Sequence, residues 1–176
     1  CMETVVVAVI VAGILVGIGC RYLTITKKEK RKRMNRLLHR FSELGTNYNL
    51  TFSSQEILHD CIIGLDGVQR KILVSRNDED VITHTELIDL SEVKSCSVKK
   101  QYGNIKGGEL RAKKLETYLE FIVLHFEREH GLPPIEIPFY QDKKNSIGEI
   151  EKLEKKARHW EMVLSKMIHA PVKKIA

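Results

Sequence analysis

SIGEIEKLEKKARHWEMVLSKM, Ser146 to Met167, is the stretch on which the fold turns. Ser146 followed by Glu149 is a capping box, in which each side chain answers the other's backbone N–H. Behind it Ile150, Leu153, Ala157, Trp160, Leu164 and Met167 recur at alternating spacings of 3 and 4, one apolar stripe on a charged helix. The spacing predicts a helix that runs to His169 and stops before Pro171. A stripe this narrow serves either as a face packed on its own domain or as a coiled-coil seam. The strands expected ahead of it favour the first use.

Working back from that helix, the apolar pattern changes period. Ile135–Tyr140 (IEIPFY) reads as a short strand, and Pro138 assigns it to an edge or a bulge. His130-Gly131-Leu132-Pro133-Pro134 before it is a turn. Leu115–Phe126 (LETYLEFIVLHF) fits both a helical stripe and a strand buried on two faces. Its aromatic and β-branched residues decide for a strand. Val81–Leu90 and Val93–Gln101 read as two more. His59–Leu65 and Val68–Arg76 flank Asp66-Gly67, the signature of a two-residue hairpin. Asn77–Asp80 is a polar turn, and Tyr48, Leu50 and Phe52 alternate as a further short strand.

Thr4–Cys20 (TVVVAVIVAGILVGIGC) is different in kind. Seventeen residues carry no charge, and at 1.5 Å per residue they extend roughly 25 Å, the short end of a bilayer core. Arg21 can reach the headgroups and leave Tyr22–Thr26 near the interface. A cleaved signal would need a basic start, and Met2-Glu3-Thr4 is not one. Gly19-Cys20 as a lipoprotein site would need a large aliphatic residue where Gly17 stands. Met2 reads as the natural start, with Cys1 an addition before it. Residues 1–26 are therefore expected to form a single membrane-spanning helix. Gly13 and Gly17 make a GxxxG, echoed by Ala8 and Ala12, through which two such helices would pair as a homodimer.

The charge lies beside this segment. Between Arg21 and Glu43 nine Lys or Arg face two Glu, a net +7, whereas from Leu44 onward twenty basic and twenty acidic residues cancel. The positive side of a span stays in the cytoplasm, which puts the following domain there and the short N-terminus outside. A domain of zero net charge argues against nucleic-acid binding. Within residues 27–45, Met34, Leu37, Leu38, Phe41 and Leu44 fall at helical spacing, with Gly45 as the expected stop. This basic amphipathic helix has two readings: docked on its own domain, or laid on anionic lipid with Lys27, Lys28, Lys30, Arg31, Lys32, Arg33 and Arg36 towards the headgroups. The expected organisation is thus 1–26, 27–45, a domain at 46–170 and a tail at 171–176.

Motifs for catalysis are missing. Gly103–Gly108 has the spacing of a phosphate loop, but Glu109 and Leu110 stand where Lys and Ser or Thr are required. His59-Asp60-Cys61 and His125 to His130 contain metal-ligand residue types; on a strand His125, Glu127 and Glu129 would share a face, yet charged neighbours make it a solvated strand end. There is no GxSxG, HExxH, GxGxxG or CxxC. No catalytic residue, cofactor or metal ligand is assigned, and an enzyme reading would rest on the loop Tyr102–Lys114 alone. Cys61 and Cys96 read as small buried thiols of a reducing compartment.

Six or seven short strands followed by a terminal amphipathic helix with Trp160 at its middle resemble the pleckstrin-homology-like domain, specifically in membrane-anchored bacterial proteins. The resemblance covers Leu50 to Ile168 and implies a mainly β barrel or sandwich of antiparallel strands capped by a C-terminal helix, with Trp160 in the helix that plugs one open end. Phosphoinositide-binding members carry Lys and Arg across the first hairpin. Here only Arg70 and Lys71 follow Asp66-Gly67, so no ligand residue carries over. The expectation is an inner-membrane, single-pass protein whose cytoplasmic domain is an interaction or scaffold module for a protein partner, with lipid-headgroup binding as the alternative. A reporter that works only outside the cytoplasm, fused after Ala176, should stay inactive; strong activity would reverse the orientation.

Overall fold

The computed structural model describes residues 28–169, apart from 30, 79–80 and 106–113. The first helix, α1, covers residues 31–47, with 28 and 29 also helical. Seven strands follow: β1 (Ser54–Ile57), β2 (Cys61–Asp66), β3 (Lys71–Asp78), β4 (Val81–Asp89), β5 (Val93–Tyr102), β6 (Leu119–Arg128) and β7 (Ile135–Gln141). The last helix, α2, is Ile150–His169. The strands make two antiparallel sheets, β1-β2-β3-β4 and β5-β6-β7, each in chain order. The fold is mainly β, two sheets and a C-terminal helix, as the pattern of elements implied.

One core joins all three layers. The first sheet turns Cys61, Ile63, Leu65, Ile72, Val74 and Ile88 inward. The second supplies Ile122, Leu124, Phe126, Ile137 and Tyr140, and α2 adds its stripe from Ile150 to Leu164. Ala157, Trp160 and Leu164 are buried and Met167 packs at the margin. The stripe is used on its own chain.

Polar bonds attach α2 to both sheets. Lys156 pairs with Glu56 of β1 at 2.6 Å and Lys100 of β5 with Glu154 at 2.8 Å. The Glu161 carboxylate accepts the outward N–H of Val98 at 3.0 Å on β5, an edge strand. The Arg70 guanidinium donates to the carbonyls of Met167 and Ile168, where the helix dipole is negative and carbonyls lack partners. At the other end Ser146 N–H donates to Glu149 Oε2 at 2.9 Å, and the capping box stands where its sequence placed it.

Leu119–Arg128 is a strand, as its composition indicated, while Leu115–Tyr118 forms a 3-10 turn. β7 is both an edge and bulged, with Phe139 the extra residue beside Pro138. β5 holds an extra residue too: Val93 pairs with Arg128 and Ser95 with Glu127. The Lys94 bulge lets both Val93 and Cys96 face the core, which strict alternation forbids. Cys61 and Cys96 are free and buried. Burial pushes both thiols up to about 12, aided at Cys61 by the Asp60 charge and at Cys96 by Glu161.

Three expectations are corrected. Asp66-Gly67 is not a two-residue hairpin: Asp66 pairs with Lys71 across a four-residue loop. The Asp66 carboxylate accepts the N–H groups of Val68 and Gln69 at 2.9 and 2.8 Å, widening the turn, and Arg70 completes it at φ 57°. Tyr48, Leu50 and Phe52 are not a strand. Leu50 and Phe52 pack onto α1 while Tyr48 is exposed, and the pairing strand is the polar Ser54–Ile57, which has no apolar rhythm. Nor does Gly45 stop α1. The helix continues through residue 47, and Asn49 at φ 54° takes the left-handed position after it.

Gly45 serves close packing instead. Its missing side chain leaves room for the Phe52 ring, which a Cβ would meet at 2.5 Å. Gly64 on β2 does the same from the other side: a Cβ there would lie 2.6 Å from Phe52 and 2.8 Å from Phe41. The two rings stack at 4.9 Å between centroids. Around them Leu37, Phe41, Leu50, Ile62 and Leu73 form a second, smaller core on the outer face of the first sheet. Residues 31–47 thus pack on the β domain, the docked one of the two positions expected for this helix.

Two outcomes test this packing. Trp160→Ala should destabilise the full chain in detergent by about 3–5 kcal/mol, read as a strongly lowered thermal melt without change of oligomeric state. An unchanged melt with loss of self-association would return α2 to a coiled-coil role. Asp66 also accepts Thr51 N–H at 2.7 Å. Burial opposes its charge, but three backbone N–H donors and Lys71 outweigh that and hold the carboxyl below its usual value. Its contribution is thus present above the unfolded carboxylate value near 4 and fades as pH falls through the lower folded value. Asp66→Asn should cost about 1–3 kcal/mol at neutral pH, a gap to wild type that narrows in melts below about pH 4.

Candidate functional site

A concavity lies where β5 ends, the Leu115–Tyr118 turn begins β6, and α2 starts. Its volume is ≈ 540 Å³. Leu119 and Ile150 are buried and form the floor, while Tyr102, Leu115 and Ile147 line it as exposed side chains, Ile147 at 60 %. Three of the large exposed apolar side chains of the described chain thus meet around one opening. The rim is charged: Lys100 pairs with Glu154 at 2.8 Å, Glu151 with Lys155 at 2.7 Å, and Glu116 stands on the turn. The Lys155 ammonium holds the Glu151 carboxyl below its usual range.

Local sequence explains the geometry. Ile147 sits three residues before Ile150 and continues the spacing of the buried stripe. The chain forms a 3-10 turn over Ile147–Glu149 before the α-helix begins, and this tighter winding takes Ile147 off the stripe into solvent. Lys114 enters the facing turn extended, and Leu115 starts it without a side-chain cap. Among the described residues the lining holds no His, Ser or Cys; its polar groups are Lys100, Tyr102, Glu116, Glu151 and Glu154, of which Lys100, Glu151 and Glu154 are engaged in ion pairs. What it offers is a hydrophobic seat with a polar rim, suited to burying an apolar side chain of another molecule.

The residues singled out from sequence are dispersed. Trp160 is inside the main core. Lys28, Arg31, Lys32, Arg33 and Arg36 are exposed along α1, whereas Lys27 and Lys30 lie outside the described residues, as do Gly13, Gly17 and all of Thr4–Cys20. No helix among the described residues is long and apolar enough to cross a membrane. Of the GxxxxG run, 106–108 lie outside as well. His125 Nδ1 meets Glu136 Oε1 at 2.9 Å on the outer face of the second sheet. Glu127 turns to Lys94 and Ser95, and Glu129 leaves the strand in a turn. His125, Glu127 and Glu129 do not converge. Asp60 is taken by Lys144 and Gln141 at 2.6 and 3.0 Å. Among the described residues no group of His, Cys, Asp and Glu is placed to hold a metal.

The groove was not legible in the sequence. Leu115 read as the start of a strand and Ile147 as part of a cap; only Ile147, apolar in a cap-flanking turn, gave a hint. Searches for known proteins add no second source: no family model, no curated protein and no solved structure matches this chain.

Proposed function

We propose that this chain is a single-pass inner-membrane protein whose pleckstrin-homology-like domain, on the cytoplasmic side, holds a protein partner in the groove of Tyr102, Leu115 and Ile147. The exposed apolar triad over a buried floor is the observation that carries the reading. Solvent exposure of three large apolar side chains at one concave place is costly and marks an interaction surface. The four-plus-three sheet order and the terminal helix support the pleckstrin-homology-like assignment. The uncharged Thr4–Cys20 and the +7 flank support the anchorage and its orientation. Pairing through Gly13 and Gly17 would make the anchor dimeric.

Headgroup recognition by the first hairpin is the weaker reading. That hairpin has only Arg70 and Lys71, and the Arg70 guanidinium is spent on the last carbonyls of α2. Lipid contact then falls to the basic α1.

A photoreactive phenylalanine analogue tests the groove in native membranes. Placed at Ile147, it should give one discrete crosslinked adduct that Leu115→Glu abolishes. Placed at Val68, exposed on the β2–β3 loop, it should give none. The same adduct from both positions, or no adduct from Ile147, would remove the groove as the docking site.

A further inference from the structure

We propose that α1 is a strap with two exclusive positions, docked on the first sheet or laid on anionic lipid, and that lipid charge chooses between them. The inference rests on the membrane anchorage proposed above. Leu37 and Phe41 are the centre of the apolar stripe that a lipid-bound helix would bury. In the docked state both are buried against Leu50, Ile62 and Leu73. One side of a helix cannot occupy two surfaces, so lipid binding through this stripe requires release from the sheet.

The joint is built to allow that release. The second core shares no buried residue with the main one, so α1 can leave while the two sheets and α2 keep their packing. Its finish is also poorer. Ser75 pairs with Ile62 across β2 and β3, on the face that α1 covers. It is 0 % exposed, and its hydroxyl meets no partner. Farther along, Arg40, Glu43, Leu44 and Asn47 of α1 and Ile82 of β4 line a shallow depression open to solvent, so the margin of the joint is wet. A buried hydroxyl without a partner weakens the docked state relative to a fully paired core. On the other side of the balance stands the basic flank, whose attraction to anionic headgroups grows with each Lys and Arg.

The test uses the full chain in nanodiscs of phosphatidylcholine alone or mixed with phosphatidylglycerol. Leu73 is 0 % exposed beneath α1, so the thiol of Leu73→Cys reports release through maleimide labelling, mapped by peptide mass to separate it from the native cysteines. Labelling at 73 should be about tenfold faster or more in the anionic discs, and high salt should cancel the difference. Phe41→Ala should speed labelling in both lipids, which calibrates the readout. Ile62→Cys reads the same face if the first variant does not fold. Equal rates in both lipids, with Phe41→Ala still fast, would overturn the strap. Extraction of the wild-type chain from membranes by alkaline carbonate would instead overturn the anchorage, a separate failure.

Discussion

Everything in the β domain depends on one closure, the burial of a single helical stripe against the inner faces of two sheets. A four-stranded and a three-stranded sheet each bury one face, and neither is stable with that face wet. The stripe from Ile150 to Leu164 fills the space they share. Side chains of both sheets then fix the helix: Glu56 and Lys100 through ion pairs, Arg70 at the C-terminal carbonyls, Val98 through its backbone. These part-buried bridges, Glu154 being shared between Lys100 and Arg158, add modestly to stability. Their role is to set position, and position determines the opening of the groove beside the first turn of α2.

The outer face of the first sheet follows a different rule. There the limiting quantity is space. Phe52 fits between α1 and β2 because residues 45 and 64 have no side chain, and it brings the ring of Phe41 down onto the strand. A methyl group at either glycine would press on an aromatic ring that has backbone behind it. Helix and sheet are thereby brought together by the absence of atoms, a constraint that hydrophobic periodicity does not report.

That difference explains what was legible. α2 was readable in full, because its cap, stripe and stop all lie within one stretch and agree. β4, β5, β6 and β7 were readable from composition and turns. Apart from Asp66, whose carboxylate widens its own turn, the residues misread are those whose role depends on a distant partner. Gly45 looked like a helix stop because its partner, Phe52, is brought back by a loop. Leu50 and Phe52 looked like strand residues because burial alternates along any extended chain. Ser54–Ile57 has no apolar rhythm and becomes a strand only by pairing with β2. The groove escaped for the same reason: it forms where three separated segments end, and no one of them has a motif.

The contact between Glu161 and the Val98 amide also bears on how neighbouring copies of this chain meet at high concentration. An edge strand with a free outward amide is a template for a strand of the next molecule. On β5 that amide is occupied by a carboxylate, and on β7 Pro138 and the adjacent bulge interrupt the ladder. Within the second sheet each border is thereby interrupted near its middle, at Val98 and at Pro138. Crowded copies of this chain would meet β4 as the longer strand border of the first sheet, and the short β1 as the other.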